Sequence, residues 1–220
     1  MFAAGLGLSA DFYKGNMTAL AHAGFRAITP DLPGFGKTHG PKLGTDVKML
    51  AQHLIEFSKA LNVNHAGWIG HSLGCQPILL IAGQHPELIR ALVLAGPTGG
   101  YGHRLSSQAK ALASAAVHEP WRLLRAVIRD YVRLSPFSYL GTWIKAAKDD
   151  PIISAKRVKQ RSLILVGSKD HVPRAEFLAN LSRTLNADVI KLAGGNHGLP
   201  IDAQHQFDQA VISFFRAVFS

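Results

Sequence analysis

Short apolar runs alternate with amphipathic stretches along this chain. Residues 25–29 read as a brief strand, closed by Pro30. Val47, Leu50, Ala51, Leu54, Phe57 and Leu61 recur at helical spacing, which predicts a helix over 45–61. Asp46 falls in its first turn, where a carboxylate suits the positive end of the helix dipole. The apolar run 66–70 predicts a buried strand and 73–84 a buried helix, bent where Pro77 removes a hydrogen bond. Further strands are expected at 91–95, 162–166 and 189–192, with helices at 174–185 and 202–219. The last helix gathers Phe207, Ala210, Val211, Phe214, Phe215 and Val218 on one face. Strands that alternate with helices predict an α/β fold: a mostly parallel sheet with helices on both faces.

One segment breaks the alternation. Residues 98–161 contain helical patterns at about 105–118, 121–134 and 139–149 and no strand. In the middle pattern Leu124, Val127, Ile128 and Tyr131 form an apolar face, opposite a stripe of Arg122, Arg125, Arg129 and Arg133. The arginines are expected to face solvent and the apolar face to meet the pocket or core. A long strandless connection is uncommon inside a compact domain and is often a lid. The expected organisation is therefore a core of 1–97 and 162–220, with a helical cap at 98–161 inserted between strands.

Composition narrows the field. At 220 residues and 47% hydrophobic, the chain can bury a core as one domain and is not a disordered one. A single cysteine excludes an internal disulfide framework and any multi-thiolate metal site. No apolar run approaches the length of a membrane span. The opening residues lack a positive leading segment, so no signal peptide is read and a cytoplasmic location is expected. The net charge of +10 is concentrated: 101–161 alone carry twelve basic and four acidic residues. Such a cluster fits a solvated helical face better than a nucleic-acid surface, because no recognition motif or stacking platform accompanies it. No nucleic-acid partner is expected.

The chemistry centres on Gly70-His71-Ser72-Leu73-Gly74, which fits G-x-S-x-G between a predicted strand and a predicted helix. A serine on so sharp a turn is held strained with its hydroxyl exposed, and a Cβ on either flanking residue would crowd the turn. The following helix aims its N-terminal N–H groups at the place where an oxyanion would develop. A serine hydroxyl needs a base, and the base needs an orienting acid. The chain order for this elbow is serine, acid, histidine. Asp170 follows the strand 162–166 and His197 follows 189–192, both at C-terminal strand ends where sites of parallel sheets gather. The stretch after 91–95 offers no acid. His71 and His171 are the rival bases; the side chain of His71 should diverge from Ser72. Cys75 reads as a packing residue on the buried helix. No cluster has metal-ligand spacing, and the early glycines near Gly5 lack dinucleotide-binding context, so neither metal nor cofactor is expected.

With these residues in hand, the chain resembles the α/β-hydrolase fold superfamily, in its lidded, serine esterase-like branch. The resemblance rests on Ala4-Gly5-Leu6-Gly7, Pro30-Asp31-Leu32-Pro33-Gly34-Phe35-Gly36, the serine pentapeptide with Cys75, Gly167-Ser168-Lys169-Asp170 and Gly195-Asn196-His197. It implies Ser72 as nucleophile, Asp170 as orienter and His197 as general base. It also implies oxyanion donors at the backbone N–H groups of Leu73 and Leu6, which would meet the substrate. The family's early His-Gly pair is Ala4-Gly5 here, a departure that leaves a backbone donor in place. Asp31 matches a position that shapes the turn near the hole, and 98–161 matches the family's cap.

The function expected from all this is hydrolysis of a carboxylic ester or related acyl substrate through an acyl-enzyme on Ser72. A carbon–carbon bond hydrolase, an acyltransferase and a non-catalytic ligand-binding homologue are the alternatives. Family members place two strands before the early glycines, whereas only Met1 to Ala4 precede Gly5 here. That first strand is expected between 25–29 and 66–70, leaving 25–29 as an exposed edge. Three expectations follow: a native start upstream of Met1, a chain of low stability, or a homodimer that covers the edge.

Overall fold

The computed structural model describes residues 1–99, 130 and 135–220. The strands are β1 Phe2–Ala3, β2 Ala66–His71, β3 Ile89–Ala95, β4 Arg161–Gly167 and β5 Asp188–Leu192. Among the described residues they form one parallel sheet in the order β1-β2-β3-β4-β5. The described helices are α1 Lys14–His22, α2 Val47–Ala60, α3 Cys75–Gln84, α4 Pro136–Ala147, α5 Pro151–Ala155, α6 Ala175–Leu185, α7 Leu199–Asp202 and α8 Gln204–Phe219.

β3 and β4 are buried along almost their whole length, as a strand covered on both faces must be. The two faces can be read from β2. A Cβ on Gly67 would strike the Phe215 ring of α8, while one on Gly70 would strike Ile78 of α3. An odd separation along a strand puts the two on opposite faces. So α8, with α1 packed on it, covers one side, and α3, with α2 and α5, the other. Trp68, Ile69, Leu92, Val93, Ile164 and Leu165 are wholly or almost wholly buried between the layers.

Helix ends follow local chemistry. Asp46 is the N-cap of α2, its side chain accepting from Met49 N at 2.8 Å. Pro77 lies in the first turn of α3, where a missing N–H has no intrahelical acceptor to lose. The expected hydrogen-bond loss there is not required.

Two expectations need correction or restriction. Residues 25–29 do not form a strand. One backbone bond, Phe2 N to Ile28 O at 2.8 Å, joins them to β1. β1 is only two residues long, and a ladder cannot build on one such bond. The helical patterns at 105–118 and 121–134, with the arginine stripe and the opposite apolar face, lie outside the described residues except for Asp130. The third pattern is found as α4, starting earlier than expected and capped by Ser135. No helix among the described residues is long and apolar enough to cross a membrane.

Candidate active site

Ser72 ends up where the strand-to-helix turn predicted. It follows β2 directly and opens a single 3₁₀ turn, Ser72–Gly74, that leads into α3. Its φ is +52°, a left-handed conformation that costs a non-glycine residue about 1–3 kcal/mol. The neighbours make room for it. A Cβ on Gly70 would lie 2.8 Å from the backbone of Cys75, and one on Gly74 would run into the backbone of Ala3 and Ala4.

The loops after β4 and β5 bring the other two groups to this point. His197 Nε2 lies 2.8 Å from Ser72 Oγ, and His197 Nδ1 lies 2.9 Å from Asp170 Oδ2. A carboxylate accepts, so Nδ1 carries the proton and Nε2 faces the serine as an acceptor. The other oxygen of Asp170 accepts from Val172 N at 2.9 Å, and its side chain is wholly buried. Ser72 itself is only 8% exposed. A serine, an imidazole and a carboxylate in this order can pass a proton from hydroxyl to ring while the acid holds the ring's tautomer.

The early glycine loop closes the site from the other side. A Cβ on Gly5 would sit 3.4 Å from Ser72 Cβ and 3.3 Å from the His71 ring. Most of the loop's amides are committed: Gly5 N donates to Tyr13 Oη, Leu8 N to Gly5 O, Ser9 N to Asp130 Oδ2 and Ala10 N to Asp31 Oδ1. Among the described hydrogen bonds Leu6 N donates to none. Leu73 N stands in the first turn of a helical segment, where amides lack intrahelical acceptors. Asp31 also accepts from Lys37 N, so it pins two loops, a structural role.

Several residues of this neighbourhood were not singled out from sequence. Gly96 directly follows β3 at φ +52°, and a Cβ there would lie 3.1 Å from His197 Nδ1 and 3.2 Å from Asp170 Oδ2. A glycine at the C-terminal end of a buried apolar run, as at Gly70 and Gly167, was the available signal. Asp202 holds the His197 loop by accepting from Asn196 N at 2.8 Å, and burial pushes its carboxyl up. Asp130 and Tyr13 carried no local signature, because their roles depend on distant chain segments. His171 is exposed. Cys75 is buried and donates to Gly70 O, and burial pushes its thiol up. Among the described residues no group of three or more His, Cys, Asp or Glu is placed to hold a metal ion.

His71 is also not a second base. Both ring nitrogens are engaged, with Tyr13 Oη at 2.9 Å and the backbone oxygen of His197 at 2.9 Å. Burial pushes its imidazole down to about 4, with the nearby His197 adding to the effect. A depressed folded value stabilises the protein above the unfolded value, about 6.5, and that contribution is lost as pH falls towards 4. The loss is at most about 3 kcal/mol. Urea unfolding at pH 7 and pH 4.5 should therefore show a smaller drop in stability for His71→Gln than for wild type. Equal drops would contradict it.

Residues 1–122 match the family model described as the alpha/beta hydrolase fold. The chain belongs to this family. Among its relatives is the 2-hydroxy-6-oxononadienedioate/2-hydroxy-6-oxononatrienedioate hydrolase of Burkholderia vietnamiensis, 27% identical over 196 residues. That match covers 86% of this chain and 60% of the relative. The chain spans roughly half the length of the curated relatives it matches, from 46% to 60% for two of them. Similar solved structures include an esterase from Exiguobacterium antarcticum (TM-score 0.85, 18% identity). A bromoperoxidase from Bacillus anthracis is similarly close (TM-score 0.84, 20% identity). Each match covers 98% of this chain and 90% of the other. At such identity these two speak to the fold alone.

Proposed function

We propose that this α/β hydrolase is a serine hydrolase of carboxylic esters, working through an acyl-enzyme on Ser72. One observation carries the reading: Ser72 Oγ, at positive φ on its elbow, lies 2.8 Å from His197 Nε2, whose Nδ1 is 2.9 Å from Asp170. Ser72 Oγ attacks the ester carbonyl carbon while its proton passes to His197 Nε2. The carbonyl oxygen becomes an oxyanion, held by the N–H groups of Leu6 and Leu73. His197 then gives its proton to the departing alcohol. Water, deprotonated by the same nitrogen, attacks the acyl carbon; the bond from that carbon to Ser72 Oγ breaks, His197 returns the proton to Oγ, and the acid leaves. Asp170 keeps the ring oriented and steadies its positive charge. In this reading the core is 1–97 and 162–220, and 98–161 is the cap over an acyl pocket. The substrate is a small acyl compound, and no step needs a cofactor.

A second reading has its own support. The Burkholderia relative is named for 2-hydroxy-6-oxo-dienedioates, molecules whose names include no ester or amide. Hydrolysing such a compound must break a carbon–carbon bond. The same serine, histidine and aspartate could serve that cleavage.

The test is a panel of p-nitrophenyl esters of increasing acyl length, run beside a 2-hydroxy-6-oxo-dienoate. Wild type is expected to turn over the esters, with a length cut-off that sizes the pocket, and Ser72→Ala to show only the uncatalysed rate. Equal rates in both proteins would overturn the serine mechanism. Efficient loss of the dienoate chromophore with negligible ester turnover would transfer the assignment to the second reading.

A further inference from the structure

Beside the three groups of the proposed mechanism lies a chain of buried polar groups that the mechanism leaves unused. Gly5 N donates to Tyr13 Oη at 3.0 Å. Tyr13 Oη lies 2.9 Å from His71 Nδ1, and His71 Nε2 lies 2.9 Å from His197 O. Every proton on this chain can be placed. The His197 carbonyl only accepts, so Nε2 of His71 carries the ring proton. The neutral ring then offers Nδ1 as an acceptor, and the Tyr13 hydroxyl donates to it. The Tyr13 oxygen is left to accept from Gly5 N. The direction therefore runs without a break from Gly5 to Tyr13, to His71, and on to His197.

The surroundings hold this arrangement in place. Tyr13 is wholly buried and His71 nearly so. The Phe12 ring stacks on His71 at 5.8 Å with an interplanar angle of 12°, and Phe2 flanks Tyr13 at 5.3 Å. Burial pushes the imidazole down to about 4 and the phenol up, so neither group changes charge near neutral pH. A group that keeps its charge is poorly suited to carry protons in turnover and well suited to fix distances.

The ends of the chain are informative. Gly5 immediately precedes Leu6, whose N–H is the proposed oxyanion donor. His197 bears the proposed base. His71 immediately precedes Ser72. We infer that Tyr13 and His71 are positioning residues, which set the oxyanion donor, the nucleophile and the base at fixed spacing through this hydrogen-bonded relay. The inference rests on the serine-hydrolase reading. It adds that the Gly5–Leu6 peptide is aimed by Tyr13, and that a shift there weakens the transition state more than the bound substrate.

The test uses the full chain and p-nitrophenyl butyrate, with kcat referred to active sites counted by a phosphonate titrant. Ligand probes are a trifluoromethyl ketone with the same acyl chain, whose carbonyl Ser72 converts to an oxyanion, and the matching methyl ketone. Tyr13→Phe is expected to lower kcat about ten- to hundred-fold while KM changes little. It should weaken the trifluoromethyl ketone by a similar factor and leave the methyl ketone unchanged. His71→Asn keeps an acceptor near Nδ1 but loses the donor to His197, and His71→Gln does the reverse. Each should lose part of kcat, and Tyr13→Phe combined with either should lose little more than the worse single variant. A purely structural role would lower the melting temperature and the count of active sites but not kcat per site. Unchanged kcat per site and unchanged trifluoromethyl ketone affinity in Tyr13→Phe would overturn the relay. If Tyr13→Phe does not fold, the same two readouts on His71→Asn decide. Loss of turnover in Ser72→Ala beside full turnover in these variants would sink the relay alone. Turnover that survives in Ser72→Ala would sink the underlying reading.

Discussion

Replacing Ser72 with alanine is expected to lower kcat for p-nitrophenyl esters by about three orders of magnitude or more. His197→Ala should cost a similar factor, and the double variant little more than either, because in the proposed mechanism hydroxyl and imidazole act in the same proton transfer. The basis is the continuous line from Ser72 Oγ through His197 to Asp170, with 2.8 and 2.9 Å separations. Without the base, the hydroxyl is a weak nucleophile; without the hydroxyl, the base has no acyl-enzyme to form. Asp170→Asn should also be severe, since an amide in place of the wholly buried carboxylate removes the charge that steadies the imidazolium. Substrate binding made by the rest of the pocket is untouched by these changes, so KM should move far less than kcat. The check is steady-state kinetics on purified, folded variants. An Ser72→Ala protein within ten-fold of wild type would break the assignment, and effects of Ser72→Ala and His197→Ala that multiply in the double variant would break the claim that they work as one unit.

Where the sequence was legible, a local rule decided the matter. β2, β3 and β4 were found because strands buried on both faces must be continuously apolar. Ser72, Asp170 and His197 stood out as candidates because this elbow enforces a chain order and because parallel sheets gather their sites at C-terminal strand ends, and the structure brings the three side chains within hydrogen-bond distance. Residues 25–29 failed for a reason that composition cannot express. Their strand-like pattern needs a neighbour, and β1 supplies only Phe2 N for Ile28 O. The short helix α5 was missed because five residues carry too little periodicity to count.

The site's supporting residues were illegible for a different reason. His71 drew notice as a rival base, but its actual partners, Tyr13 and the backbone of His197, lie 58 and 126 positions away. Asp130 reaches Ser9 across 121 positions. Nothing in the local pattern around Tyr13 or Asp130 separates them from ordinary helix residues. Such partners exist only once the sheet has brought the loops together. The sequence thus carries the groups proposed to react, which sit in motifs, and hides the groups packed around them.

Gly74→Ala is expected to be as informative as any substitution of a reacting group, although Gly74 touches no substrate in the proposed mechanism. Its backbone is ordinary right-handed helical, with φ −58°, so alanine meets no conformational penalty there. The obstacle is steric. The new Cβ would be driven into the carbonyl oxygen of Ala3, and would lie 2.6 Å from the Ala3 carbonyl carbon and 2.8 Å from Ala4 O. These are backbone atoms and cannot rotate away. Either β1 moves out or the elbow moves down. β1 is held to β2 over only two residues, so it is the part that yields. The expected cost is about 2–3 kcal/mol, in the range of overpacked cores. For a chain of this length that is about 5–10 °C in melting temperature. The displaced residues lead straight into Gly5 and Leu6, so kcat should also fall about ten-fold or more with KM little changed. Gly24→Ala is the control. Gly24 has φ +91° with open space around the missing Cβ, so alanine there should lower stability through backbone strain and leave kcat per active site unchanged. Thermal unfolding and site-titrated kinetics on both variants separate the outcomes. A Gly74→Ala protein that melts like wild type with full kcat would mean that the elbow and β1 do not press on each other as the geometry requires.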